Sequence, residues 1–314
     1  MGARCLDDCL MAANGVLNNK QMKDLGISSI SIGSIVNIDK IYSTCGVRGD
    51  VLCNIQNGDP LLLLPKYGVN NIEGFSDNYL ELLYYHLRVW MLEFNRAWQL
   101  GSDFFEKGDK RFYEWLKNVP CQGGYEREAR DFWLKHYENG GFCGTLFNHE
   151  DSKYVPKDIE SYNEYIPSLK KASISEMDLF SPDAISDTHK KYDVVYIGDL
   201  LAKAYCTDAS GEKADMERIN NSISILTKNL SNLVESGGQV VSTYVSRISQ
   251  PLFYHGWQME HTFFGEMRKA GFAQPYNFAL PGSKLPEIVY DYRIIYDEGA
   301  KGQDERIALS MRKK

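Results

Sequence analysis

Four short segments set acids, hydroxyls and glycines where apolar runs end. Gly198-Asp199-Leu200-Leu201 closes the run Tyr192–Ile197. An acid there can bind an ammonium group or act as a base toward an acceptor, and it equally reads as a helix cap. Ser76-Asp77-Asn78 closes the run from Val69 to Phe75. An acid after a second strand can accept from both ribose hydroxyls of a nucleoside. Asp77 or Asn78 also reads as the cap of the helix that follows. In Glu176-Met177-Asp178 a carboxylate could accept from the exocyclic amine of adenine while apolar neighbours hold the ring; a solvated loop acid is the plainer reading. Thr44-Cys45-Gly46-Val47-Arg48-Gly49-Asp50 carries two glycines that let backbone pass close to a ligand, and it also reads as an ordinary turn.

The histidines offer fewer leads. His86 falls inside a long helical pattern beside Arg88 and Trp90, and His255 and His261 flank the start of the last helix. A neutral imidazole can take a proton at pH 7, although a packed or surface role is the commoner fate. Tyr84, Tyr85, Tyr205 and Tyr244 read as structural. The chain has no nucleophile elbow, no phosphate loop ending in Gly-Lys-Ser/Thr and no His-Glu-x-x-His pair, which disfavours serine hydrolases, P-loop enzymes and zincins.

The elements that would position these loops follow from periodicity. Residues 1–26 read as a helical lead-in, and Leu25 to Val36 as a strand or an irregular arm. Lys40 to Cys45 is expected as the first core strand, Val69 to Phe75 as the second and Ser168 to Ile174 as the third. A long helix should run from Tyr79 to Leu100. The aromatic, charged stretch 101–165, with Phe104, Phe105, Phe112, Trp115 and Trp133, reads as a helical insertion that covers one end of the sheet. Tyr192 to Gly198 is a strand, Met216 to Val234 an amphipathic helix and Gln239 to Val245 a buried strand. A helix from Met259 to Lys269 and two strands, Val289 to Tyr296 and Arg306 to Met311, close the chain. The expected domains are a lead-in over 1–39 and one α/β domain over 40–314.

The bulk composition agrees with an ordinary globular protein: 314 residues, 43% hydrophobic and 25% charged. A net charge of -7 argues against broad nucleic-acid binding, which needs a basic face. The apolar run Leu61–Leu64 stops at Pro65 and is far too short to span a bilayer. No tripartite secretory signal opens the chain. Seven scattered cysteines, Cys5, Cys9, Cys45, Cys53, Cys121, Cys143 and Cys206, fit reduced thiols and a cytoplasmic location rather than a disulfide framework. Cys5 and Cys9 lack further nearby ligands, so no metal site is expected.

The order of elements from about residue 40 to 314 resembles the class I S-adenosylmethionine (SAM) dependent methyltransferase superfamily. Within it, the pattern is similar to 3-amino-3-carboxypropyl transferases of the betaine-lipid-synthase type. Ile72-Glu73-Gly74-Phe75-Ser76-Asp77-Asn78 runs into Leu80, Leu82, Leu83, His86, Leu87 and Arg88. Phe104-Phe105-Glu106-Lys107-Gly108 and Ala129-Arg130-Asp131-Phe132-Trp133 resemble the inserted part. Two departures stand out: the ribose acid of the pattern falls on Ser76, one residue before Asp77, and the glycine loop is poor in glycine.

The resemblance implies a doubly wound, Rossmann-like, seven-stranded α/β sheet with a helical insertion. It implies SAM as cofactor, held by Thr44, Cys45, Gly46, Gly49, Ser76, Asp77, Asn78, Glu176, Asp178, Gly198, Asp199 and Leu200. Asp199 and His261 become candidates for acceptor-side chemistry. The expected activity is transfer of the aminocarboxypropyl group to a small-molecule or lipid acceptor; methyl transfer, SAM cleavage and a non-catalytic binding module are the alternatives.

Overall fold

A computed structural model describes residues 9–11, 21–22, 27, 30–31, 38–95, 110–139, 147–148, 164–185, 189–198, 200–201, 216–247, 263–273, 292–296 and 304–314. In chain order the elements are β1 (Ile30–Ser31), α1 (Ile38–Cys45), β2 (Gly49–Asn54), α2 (Asp59–Leu63), a short 3-10 turn (Leu64–Tyr67), β3 (Val69–Ser76), α3 (Tyr79–Asn95), α4 (Lys110–Leu116), α5 (Gly124–Glu138), β4 (Phe147–Asn148), α6 (Ile166–Lys171), β5 (Ser173–Glu176), β6 (Tyr192–Gly198), α7 (Met216–Leu233), β7 (Val234–Arg247), α8 (263–269), β8 (Tyr292–Tyr296) and β9 (Asp304–Arg312).

Among the described residues, seven strands form one sheet in the order β5-β3-β2-β6-β7-β9-β8. The chain winds outward from β2 through β3 to β5, then restarts at β6 and winds the other way. That reversal is the doubly wound α/β pattern, with its switch point between β2 and β6. β2 and β6, β6 and β7, and β3 and β5 pair in parallel. β9 alone breaks the direction: it runs antiparallel to β7, with Val240 opposite Met311, and to β8, with Ile294 opposite Leu309. The closing hairpin expected from the sequence is therefore present, and Val240–Tyr244 belongs to a central strand.

The chain divides into two compact units. The first holds residues 1–38, 54–66 and 72–177. Its centre is α3, where Leu80, Leu82, Leu83, Leu87 and Trp90 are buried. Helix α5 packs along α3, with Trp133 Nε1 donating to the Leu83 carbonyl at 2.9 Å and the Tyr79 hydroxyl donating to Glu128. Phe112 of α4 meets Phe94 edge-on, with ring centres 5.5 Å apart. The described part of the aromatic insertion thus joins the core of this unit. Ile30 pairs with Phe147 in a two-stranded parallel ribbon, which resolves the strand-or-arm alternative at that point as a strand.

The second unit holds residues 39–53, 67–71 and 178–314. In β6 every side chain except Asp193 is buried, so the strand reads as a continuous apolar run covered on both faces. Helix α7 buries Ile219, Ile223, Leu226, Leu230 and Leu233, a stripe at helical spacing, and exposes Glu217, Arg218 and Lys228.

Two expected strands are helices. Lys40–Cys45 belongs to α1 because its buried residues, Ile38, Ile41, Tyr42 and Cys45, recur at three- and four-residue steps rather than alternating. Most of Ser168–Ile174 belongs to α6, which starts with a proline in its first turn; the strand begins only at Ser173. The long helix after β3 is described as far as Asn95, and the expected helix start at Met259 lies outside the described residues.

Candidate functional site

In a doubly wound sheet the ligand edge is the carboxyl end of the strands. In the first unit the ends of β2, β3 and β5 are tied side by side. Ile55 N donates to the Phe75 carbonyl at 2.9 Å, and Met177 N donates to the Ser76 carbonyl at 3.0 Å. Ser76 and Glu176 are register partners. Three loops therefore leave adjacent strand ends: Ile55–Asp59, Asp77–Asn78 and Met177.

The first of these loops was missed in the sequence. Because β2 is Gly49–Asn54, the loop at its carboxyl end is Ile55-Gln56-Asn57-Gly58-Asp59. It is tightly built. Gly58 N donates to the Ile55 carbonyl at 2.7 Å, and Asp59 N donates to Asn57 Oδ1 at 3.0 Å. Gly58 sits at φ 89°, and Gln56 at φ 50° is the one non-glycine with positive φ among the described residues. Arg88 reaches in from α3: Nη1 donates to the Asn57 carbonyl and Nη2 to Asp59 Oδ1, both at 2.8 Å. Both side chains of the ion pair are nearly inaccessible, at 2% and 3% exposure. Burial opposes the Arg88 charge, but Asp59 and Tyr84 outweigh it and hold the guanidinium above its ordinary pKa. The Arg88 guanidinium also lies 5.6 Å from the centre of the Tyr84 ring.

At the end of β3, Ser76 is buried, and its Oγ donates to Glu81 Oε2 at 2.6 Å and accepts from Asn78 N at 3.0 Å. Glu81, in the first turn of α3, is itself buried. Asn78 Oδ1 accepts from Leu80 N at 3.3 Å, so Asn78 is the residue that caps α3. Asp77 is half-buried beside it, and Glu176 is exposed at the end of β5. Neither Glu81 nor Arg88 stood out in the sequence as site residues, because a glutamate and an arginine inside a Leu-rich helix carry no spacing signal.

The remaining expected residues fall elsewhere. Thr44, Cys45 and Gly46 close α1 and its following turn, and Gly49 opens β2, so none of the four lies at the carboxyl end of the strand. Their location corrects the first-strand assignment. The Cys45 carbonyl accepts from Gln239 Nε2 at 3.1 Å, and Gln239 Oε1 accepts from Ser310 Oγ at 2.7 Å. This network ties α1 to β7 and β9.

In the second unit, Asp178 Oδ1 accepts from Phe180 N at 2.9 Å, which folds the start of the segment into a turn. Asn229 of α7 holds the same segment by donating to the carbonyls of Leu179 and Ser181, both at 2.9 Å. Gly198 ends β6 at φ 55°, and its carbonyl accepts from Ser242 Oγ at 3.2 Å. Leu200 is buried. Asp199 and His261 lie outside the described residues. His86 is buried within α3 against Tyr85 and Trp90, and burial lowers its pKa to about 4. Among the described residues, no cluster of three His, Cys, Asp or Glu side chains is placed to hold a metal, and no helix is long and apolar enough to cross a membrane.

No protein-family model and no curated protein matches the chain. Solved structures do. The N-methyltransferase NodS from Bradyrhizobium japonicum WM9 is similar at 8% identity over 88% of this chain and 91% of that one, with a TM-score of 0.40. The glycopeptide N-methyltransferase MtfA, solved with S-adenosyl-L-methionine, is similar at 8% identity over 91% of this chain and 97% of that one, with a TM-score of 0.40. Magnesium protoporphyrin IX methyltransferase (ChlM) from Synechocystis PCC 6803, solved with SAH, is similar at 9% identity over 98% of this chain and 99% of that one, with a TM-score of 0.39. The chain's own strand order, with a single antiparallel strand inserted next to β7, is the Rossmann-like architecture that the sequence resemblance implies.

Proposed function

We propose that the chain is a SAM-dependent transferase that binds the nucleoside across the carboxyl ends of β2, β3 and β5. One observation carries this reading: the three strand ends are hydrogen-bonded side by side, and a hydroxyl–carboxylate pair, Ser76 and Glu81, sits at the middle one next to Asp77. A ribose needs acceptors of this kind, and an adenine needs polar groups at the neighbouring strand end, where Glu176 ends β5 and Asp178 follows it. Asp77 remains the candidate for the ribose and Asp178 for the adenine amine.

The transferred group is proposed to be the 3-amino-3-carboxypropyl chain. Support comes from the Leu-rich α3 that leaves the β3 loop, and from the insertion helices α4 and α5 that pack on it, the arrangement implied by the betaine-lipid-synthase resemblance. In such a step the acceptor heteroatom forms a bond to the γ-carbon of the methionine tail. The carbon–sulfur bond breaks, its electron pair goes to sulfur and methylthioadenosine leaves. The acceptor proton passes to a base, for which Asp199 and His261 are the candidates. A small molecule or a lipid headgroup is the proposed acceptor class. The protein's task would be to hold the adenosine, aim the γ-carbon in line with the acceptor and keep water out.

Calorimetry with SAM tests binding. SAM labelled separately in the methyl and the carboxyl group tests the reaction. Carboxyl label in an acceptor together with methylthioadenosine is the expected result; methyl label in an acceptor with S-adenosylhomocysteine would make the chain a methyltransferase instead.

A further inference from the structure

We propose that Arg88 is a positioning residue, one that holds the loop leaving β2 in a strained, ready conformation for the ligand. This rests on the SAM reading above. Gln56, at φ 50°, occupies a backbone region that suits glycine. Strain of that kind persists only where the surroundings over-determine the backbone, and it concentrates at ligand-binding segments. Here the surroundings include the Arg88 guanidinium, which grips the loop at two points. One point is the Asn57 carbonyl and the other the Asp59 carboxylate, both at 2.8 Å.

The pair is expensive for a mere core staple. A buried ion pair returns little net stability relative to apolar residues of the same volume. The leucines of α2, Leu61 to Leu63, are already buried and dock the chain without it. What the pair adds is direction. A planar guanidinium donates along two fixed lines, one to backbone and one to side chain; an ammonium at the same place cannot hold both in one geometry. With Arg88 in place, Gln56 and Asn57 have one conformation before ligand arrives. Without it, the loop relaxes, and binding must re-impose the strain.

The test uses the full chain and S-adenosylhomocysteine as probe, with affinity measured by calorimetry at 10 °C and folding checked by circular dichroism. Arg88→Lys should bind at least tenfold more weakly while still folded. Adding Gln56→Gly to that variant should recover part of the loss, because glycine adopts the positive φ without strain. A structural role alone would not move with Gln56. The neutral pair Arg88→Gln with Asp59→Asn leaves no uncompensated buried charge, and should show the same tenfold loss. A folded Arg88→Lys protein or neutral pair with wild-type affinity would overturn the proposal. Failure of both to fold would also overturn it, by making the pair a core staple. A wild-type chain that binds no S-adenosylhomocysteine would sink the SAM reading itself, and the positioning role with it.

Discussion

Ser76 donates its hydroxyl proton to Glu81 across five residues of sequence, from the last residue of β3 to the first turn of α3, at 2.6 Å. Both side chains are buried. The last residue of β3 is thus a buried hydroxyl, with a buried carboxylate directly behind it.

This arrangement separates two ribose candidates. Asp77→Ala should weaken SAM binding by roughly 1–3 kcal/mol, the scale for hydrogen bonds to a charged group, while unfolding in urea changes little because Asp77 is only half-buried. Ser76→Ala should instead cost about 1–3 kcal/mol of folding stability, since it removes a donor from a buried carboxylate. Unchanged affinity in Asp77→Ala together with lost affinity in Ser76→Ala would transfer the ribose role to the Ser76–Glu81 pair.

Gly49→Ala should destabilise the fold by about 1–3 kcal/mol. Gly49 sits at φ 80°, and a Cβ there would lie 2.1 Å from Asp193 Oδ2. That oxygen accepts from Asp50 N at 2.8 Å, so the side chain cannot swing away without giving up the bond. Urea unfolding of the variant measures the loss; a midpoint equal to wild type would show that the Asp193 contact is dispensable.

Stability should fall with acid through the histidine range. Burial lowers the pKa of His86 and of His136 to about 4. The folded chain therefore keeps both neutral where the unfolded chain, titrating near 6.5, takes up protons. Their contribution is complete above about pH 6.5 and is lost as pH falls toward 4, at up to about 1.4 kcal/mol per pH unit per histidine. Urea midpoints between pH 4.5 and 7.5 should slope less in His86→Leu than in wild type. Parallel slopes would mean that His86 is not held neutral by burial.

Asn229→Ala should cost about 1–3 kcal/mol, because it leaves the Leu179 and Ser181 carbonyls without their 2.9 Å donor. It should also loosen the segment that begins with Asp178. If Asp178 accepts from the adenine amine, SAM affinity should fall in the folded variant; intact affinity would argue that the adenine is held elsewhere.

The strands and helices after Tyr192 were legible because their patterns are long and of one kind. β6 is apolar nearly throughout, and α7 repeats its buried residues at helical spacing over eighteen positions. The first half was harder. In Ile38–Cys45 two adjacent buried residues, Ile41 and Tyr42, imitate a strand over so short a window. That one misreading placed the loop at the carboxyl end of the first strand at Thr44–Asp50, at the opposite end of β2 from Ile55–Asp59.

The amino-acid sequence by itself determined the winding of the chain: alternating apolar strands and amphipathic helices, a long helix after β3 and a closing antiparallel hairpin. These follow from local periodicity, which each segment carries within itself. Only the tertiary structure decided which polar residues meet. Arg88 with Asn57 and Asp59, Ser76 with Glu81, and Asn229 with Leu179 and Ser181 are separated by 5 to 50 residues of chain. Their pairing depends on how the helices pack against the strand ends. A buried charge must find its partner wherever packing places one, and no local pattern records that place.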